Sequence, residues 1–193
     1  MLRTLPRMSA AAFQFGPYAI AASQVFLETP LAYCSVNIKP VVAGHALVIP
    51  KRVVTRVRDL TAQELAEMWS SAQRVSTMLE RKHTAQSTTF TIQDGADAGQ
   101  SVPHVHIHIL PRRPGDFTVN DHIYSFIEAA SAHTARHFAA EVAVAAAAAA
   151  AAVSGSSPRA NAVDAHAARA RTAAEMAAEA QENRHLLAEY SKL

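Results

Sequence analysis

Three observations in the sequence predict a single domain of mixed helix and sheet with a tail at each end. Short apolar runs broken by turn residues fill positions 13–50, a helix with a complete start signal and one apolar stripe follows, and strand-like alternation returns between 88 and 110. At 193 residues, half of them apolar, the chain is long enough to bury a core.

The first strands are separated by Gly16-Pro17, by Glu28-Thr29-Pro30 and by Lys39-Pro40 with Gly44. In the segment Ala32 to Lys39, Cys34, Val36 and Ile38 alternate with Tyr33, Ser35, Asn37 and Lys39, which puts Asn37 on the more polar face of a strand. His45 to Ile49 continues as a more fully buried strand. Thr61 and Glu64 then form a capping box, and Leu65, Met68, Trp69, Ala72, Val75 and Leu79 recur at helical spacing, so this helix packs its stripe on a sheet. Thr88 to Gln93 alternates again and Asp94-Gly95 closes it as a turn, ahead of a strand from His104 to Leu110. A second helix is expected to start near Asn120-Asp121, carrying Ile123, Tyr124, Phe126 and Ile127. The expected organisation is a disordered extension over 1–12, a folded main domain over 13–137, a disordered alanine- and serine-rich linker over 138–162, and a terminal helix over 163–193 that docks weakly or reaches a partner.

A formal charge of +2, with no run of Lys or Arg, argues against nucleic acid as partner and for a small anion bound locally. One cysteine, Cys34, excludes an intramolecular disulfide and a cysteine-rich metal cage. The apolar tract Val142 to Val153 is mostly alanine and too short for a membrane span. Arg3 and Arg7 precede the first acidic residue, Glu28, a transit-peptide pattern resting on two arginines only, and Met8 offers a second start. The last residues, Ser191, Lys192 and Leu193, match the address read by the peroxisomal import receptor, so a peroxisome or peroxisome-like organelle such as a glycosome is expected, with the cytoplasm as the alternative.

The segment that carries chemistry is Pro103-His104-Val105-His106-Ile107-His108-Ile109-Leu110. Strand periodicity sends His104, His106 and His108 to one face and the aliphatic residues to the other. Neutral imidazole can accept a phosphoryl group near neutral pH, and a backbone carbonyl taking the proton of Nδ1 leaves Nε2 free to attack. His106, flanked on both sides, is the expected nucleophile; His108 contacts phosphate oxygens or the leaving group, and His104 supports the row. Zinc is the competing reading of His-x-His pairs, but Gln93 and Gln100 are poor zinc ligands. The loop Asp94 to Val102, with Gly99, Gln100, Ser101 and Val102 at its end, is small enough for its N–H groups to approach an anion, and Gln93 can stabilise a leaving oxygen.

The run Gly99 to Ile109 resembles the histidine-triad signature. Lys39 to His45, Gln93-Asp94-Gly95, Ala98-Gly99-Gln100, Leu110-Pro111-Arg112, Gly115-Asp116-Phe117 and Glu175 to Ala180 resemble its fragile-histidine-triad branch. The resemblance implies an α+β fold, an antiparallel sheet of about five strands with two main helices, extended across a homodimer. It also implies hydrolysis of diadenosine triphosphate to AMP and ADP through a nucleotidyl intermediate on His106, with magnesium or manganese entering on the substrate and no metal held by the protein. Family positions map onto Asn37 for the ribose, onto Gln93, Gln100, Ser101 and His108 around the phosphates, and onto His45 as a supporting partner of His104. A Hint-like nucleoside phosphoramidase and a non-catalytic nucleotide-sensing adaptor are the alternative functions. Ser101 stands where the branch more often has threonine, and the alanine-rich stretch and the terminal Ser-Lys-Leu are not family features.

Overall fold

A computed structural model of the chain describes residues 13–154 and 170–190. The described residues form seven strands and three long helices: β1 (Phe13–Phe15), β2 (Tyr18–Ile20), β3 (Val25–Glu28), β4 (Ala32–Val36), β5 (Ala46–Pro50), α1 (Ala62–His83), β6 (Ser87–Thr91), β7 (Ile107–Arg112), α2 (His122–Ser154) and α3 (Ala173–Tyr190). Strands β3 to β7 make one antiparallel sheet in the order β3-β4-β5-β7-β6, and β1 and β2 form a separate hairpin. The breaks expected at Gly16-Pro17, Thr29-Pro30 and Lys39-Pro40 all fall between strands.

Alternation along β4 and β5 divides the core into two layers, because successive side chains leave opposite faces of a strand. Ala32, Cys34, Val36, Ala46 and Val48 join Met68, Ala72, Val75 and Leu79 of α1 and Met176, Ala180 and Leu187 of α3 on one face. Tyr33, Leu47 and Ile49 face the other way, under Phe13, Phe15 and Ile20 of the hairpin and Phe138 of α2. Both faces of the sheet are therefore covered, and every residue of β4 is buried. The polar face expected for this strand is not exposed; Asn37, just beyond it, is buried as well.

Four further features differ from expectation. Leu65 and Trp69 are partly exposed at the margin of the α1 stripe, where the ring of Trp69 lies 5.8 Å from that of Phe90 on β6. The histidine strand begins at Ile107, since the N–H of His104 turns back to the carbonyl of Val102 and that of Val105 reaches the carbonyl of Val54. Helix α2 runs through the expected linker as far as Ser154, in keeping with alanine's helix propensity, and Phe138 belongs to the core. Helix α3 is part of the domain rather than a weakly docked tail: Lys82 bonds Asn183 at 2.8 Å, and Arg184 donates to the carbonyls of Ser23 and Val25 at the β3 edge. The expected extension over 1–12, residues 155–162 of the linker, residues 163–169 of the terminal helix, and Ser191, Lys192 and Leu193 lie outside the described residues.

Candidate active site

The histidines project from the face covered by the hairpin and α2. Pairing of Leu47 with His108 and of Thr91 with His108 centres that imidazole between β5 and β6. Beyond this pair, toward the same end of the sheet, stand His106, two residues before His108, and Gln93, two residues after Thr91. His106 and His108 meet edge to face at 4.8 Å between ring centroids, and Phe15 stands edge-on to His106 at 5.1 Å. His104 lies outside the ladder and faces the hairpin turn, so the three rings do not form an even row along one strand.

Hydrogen bonds assign a tautomer to each ring. His106 Nδ1 lies 2.8 Å from the carbonyl oxygen of His104; a carbonyl can only accept, so the proton is on Nδ1 and Nε2 keeps its lone pair. His104 Nδ1 accepts from the N–H of Gly16 at 3.0 Å, and its Nε2 donates to the carbonyl of Arg52 at 3.0 Å. Gly16 has a positive φ of 57°, and a Cβ there would stand 2.9 Å from Val102, so only glycine lets the hairpin turn reach His104.

A second chain of bonds orients His108. The N–H of Val41 donates to His45 Nδ1 at 3.2 Å, and His45 Nε2 then donates to His108 Nδ1 at 2.9 Å. The remaining nitrogen, His108 Nε2, carries a proton and is buried with no partner among the described residues. A buried donor left unmatched is costly, and this one stands beside the nucleophilic candidate, where an incoming oxygen would satisfy it. His45 thus supports His108; the expected partnership with His104 is not formed, because the carbonyl of Arg52 and the N–H of Gly16 take both nitrogens of that ring.

Desolvation is the main cause of the rings' electrostatics. His104, His106 and His108 are 0%, 4% and 3% exposed. Burial lowers His106 to about 4 and His45 to about 3, the latter helped by the charge of Arg171, and it holds His108 well below the ordinary histidine range. All of these imidazoles are neutral at pH 7, the form a nucleophile needs.

The other expected positions divide. Gln93 and Ser101 come together through Ser131 of α2, whose hydroxyl donates to Gln93 Oε1 at 2.9 Å while its carbonyl accepts from Ser101 Oγ at 2.7 Å. Gly99, at φ 83°, leaves room for Gln93, whose Nε2 would be 2.7 Å from an added Cβ. The N–H groups of Gly99 and Gln100 are spent on the carbonyls of Ala96 and Gly95, the Gln100 side chain turns to the carbonyl of Thr55, and Val102 is a core residue. Asn37 lies against His45, 3.2 Å from Nδ1 and 3.1 Å from Nε2, and its carbonyl accepts from Arg171. Phe15, Gly16, Arg52, Ser131 and Arg171 were not anticipated; only the Gly16-Pro17 turn carried a signal in the sequence, and it did not point to a histidine.

The HIT domain family matches residues 20–115. A bis(5'-adenosyl)-triphosphatase of Dictyostelium discoideum is 53% identical over 114 residues, 59% of this chain and 76% of that protein. The chain belongs to the histidine-triad family. Within it, the chain falls in the fragile-histidine-triad branch: a bifunctional bis(5'-adenosyl)-triphosphatase/adenylylsulfatase of Arabidopsis thaliana is 52% identical over 118 residues, 61% of this chain and 66% of that protein. Among solved structures, the Caenorhabditis elegans NitFhit protein superposes with a TM-score of 0.56 at 45% identity, covering 66% of this chain and 31% of that one. The Plasmodium falciparum diadenosine triphosphate hydrolase superposes with a TM-score of 0.56 at 28% identity, covering 71% and 93%. The histidine-triad chain therefore shares the α+β fold of that family, and α2 lies wholly beyond the residues that the family matches.

Proposed function

We propose that this histidine-triad protein is a dinucleoside polyphosphate hydrolase that cleaves diadenosine triphosphate to AMP and ADP. The observation that carries this reading is the bond from His106 Nδ1 to the carbonyl of His104, which leaves an uncharged Nε2 as nucleophile. Similarity to proteins named bis(5'-adenosyl)-triphosphatase supports the substrate class.

In the proposed reaction His106 Nε2 bonds to the α-phosphorus while the bond from that phosphorus to its bridging oxygen breaks, and ADP leaves with the electron pair. The proton on His108 Nε2 bonds a phosphate oxygen on which charge grows. Water then attacks the same phosphorus, the phosphorus–nitrogen bond breaks, its electron pair returns to His106, and AMP departs as the water releases a proton. Magnesium or manganese is proposed to arrive on the polyphosphate and to shield its charge. The described residues present no group of three His, Cys, Asp or Glu placed to cage an ion, and the supporting histidines are committed to one another and to the backbone.

The test is product analysis with diadenosine triphosphate, diadenosine tetraphosphate, adenylylsulfate and an adenosine phosphoramidate, run in ¹⁸O-labelled water. The expected result is AMP carrying the label from the triphosphate, abolished at least about a thousandfold in His106→Ala with the fold intact. Label in ADP, or turnover retained in His106→Ala, excludes the covalent route; preference for the phosphoramidate replaces the substrate assignment.

A homodimer is proposed to form along β6, an edge of the sheet that carries the exposed Phe90 beside Trp69. Phe90→Lys is expected to halve the mass in light scattering, and an unchanged mass removes this edge as the interface. The Ser191-Lys192-Leu193 tripeptide supports a further proposal of import into a peroxisome-like organelle, read by imaging a fluorescent N-terminal fusion with and without those residues.

A further inference from the structure

We propose that α2 is a lid over the histidine face, and that ligand reaches His106 only when residues 131–138 of this helix lift away. This rests on the reading of that face as the nucleotide site.

Three contacts along one side of α2 trace its path across the sheet. Ile123 and Ile127 pack on Leu110 of β7. One turn beyond Ile127, Ser131 holds Gln93 and Ser101, the two expected phosphate-site residues that the structure brings together. Phe138 then stacks on Tyr18 at 4.9 Å, interplanar angle 17°, and meets Phe15 at 6.3 Å, one ring away from His106. The buried positions 123, 127, 130, 131, 134 and 138 form a single helical face, so one element spans the site from end to end.

The closed arrangement is a poor host for a polyphosphate. The carbonyl of Ser131 takes the hydroxyl proton of Ser101 that an anion would use, and the hydroxyl of Ser131 ties down the Gln93 amide through Oε1. The cleft of about 340 Å³ left between Gln93, Gly99 and α2 is bordered by Asp97 and Glu128, which repel an anion. Yet His108 Nε2 is a buried donor without a partner, so the covered face is incomplete rather than satisfied as a core would be. A lid accounts for both facts: its release frees the hydroxyl of Ser101 and opens the unused donor of His108 to ligand.

If only the open fraction binds, loosening the lid lowers KM in proportion while kcat is retained. The test is carbethoxylation of the full chain with diethyl pyrocarbonate, followed by peptide mass spectrometry, in wild type, Phe138→Ala and Ser131→Ala. The exposed His185 serves as internal reference. Reaction at His106 relative to His185 is expected to rise about tenfold or more in Phe138→Ala and by a smaller factor in Ser131→Ala, because each removes an anchor of the closed state. Circular dichroism identifies a variant that has lost its fold, and Ser131→Ala, which deletes one oxygen, carries the test if Phe138→Ala unfolds. An unchanged His106 rate in the folded variants overturns the lid, whatever their turnover. Faster His106 labelling without hydrolysis of diadenosine triphosphate by any form supports the lid and removes the hydrolase reading instead.

Discussion

Near pH 6.5 a histidine in water is half protonated, and at His106 the fold removes that ambiguity by burial while the carbonyl of His104 decides which nitrogen keeps the proton. The same logic extends outward, from Val41 through His45 to His108, and it makes a definite prediction for a residue that never touches the nucleophile. His45→Ala leaves His108 Nδ1 without its donor, so the proton of that ring can move to Nδ1 and withdraw the one aimed at substrate. A loss of about tenfold to a hundredfold in kcat is expected, the size seen when the orienting partner of a functional histidine is removed; unchanged kcat with lowered stability would reduce His45 to a packing role. The three triad histidines were legible because alternation and chemistry agreed on them. His45 as the partner of His108 was not, since that contact depends on the β5–β7 register, which pairs Leu47 with His108 and sets His45 two residues away.

Among the elements, α1 was the most readable and also supports the site indirectly. Thr61 and Glu64 exchange both bonds of a capping box, and Glu64 also holds Arg52 at 2.6 and 2.8 Å, while the carbonyl of Arg52 receives the proton of His104 Nε2. Thr61→Ala is expected to cost about 1 kcal/mol, checked by urea denaturation. Glu64→Ala should cost more than Thr61→Ala, since it removes the charged partner of Arg52 as well as its own half of the box. Helices α2 and α3 were harder to read for one physical reason. Alanine specifies helix without specifying what the helix packs on, so neither the burial of Phe138 nor the docking of Met176, Ala180 and Leu187 could be inferred from composition. If α3 is integral, Leu187→Ala should lower the unfolding free energy by about 2–5 kcal/mol; a change within error would return α3 to the status of a peripheral tail.

At the scale of the whole molecule, the buried imidazoles tie stability to pH. His106 and His45 titrate at about 4 and about 3 in the folded chain, and His108 well below its ordinary value, against about 6.5 when unfolded. Between those limits the unfolded chain binds protons that the folded chain does not, so this stability is complete above about pH 6.5 and is lost as pH falls toward 4 and below. Glu64, held near 2 by Arg52, adds a loss that begins near pH 4.5 and overlaps the acid end of the histidine window. Urea midpoints measured from pH 7.5 to 4.5 should therefore fall steeply below 6.5, and more shallowly in His106→Gln; a flat profile would mean that the rings are hydrated.

One consequence concerns sulfur. Cys34 is fully buried in β4 with its thiol pushed up by desolvation, and Met68, Met78 and Met176 are each at most 4% exposed. Among the described residues the molecule thus offers hydrogen peroxide neither a thiolate nor an accessible thioether. Its proposed chemistry, built on imidazole alone, would continue in surroundings where an enzyme with a cysteine nucleophile is silenced.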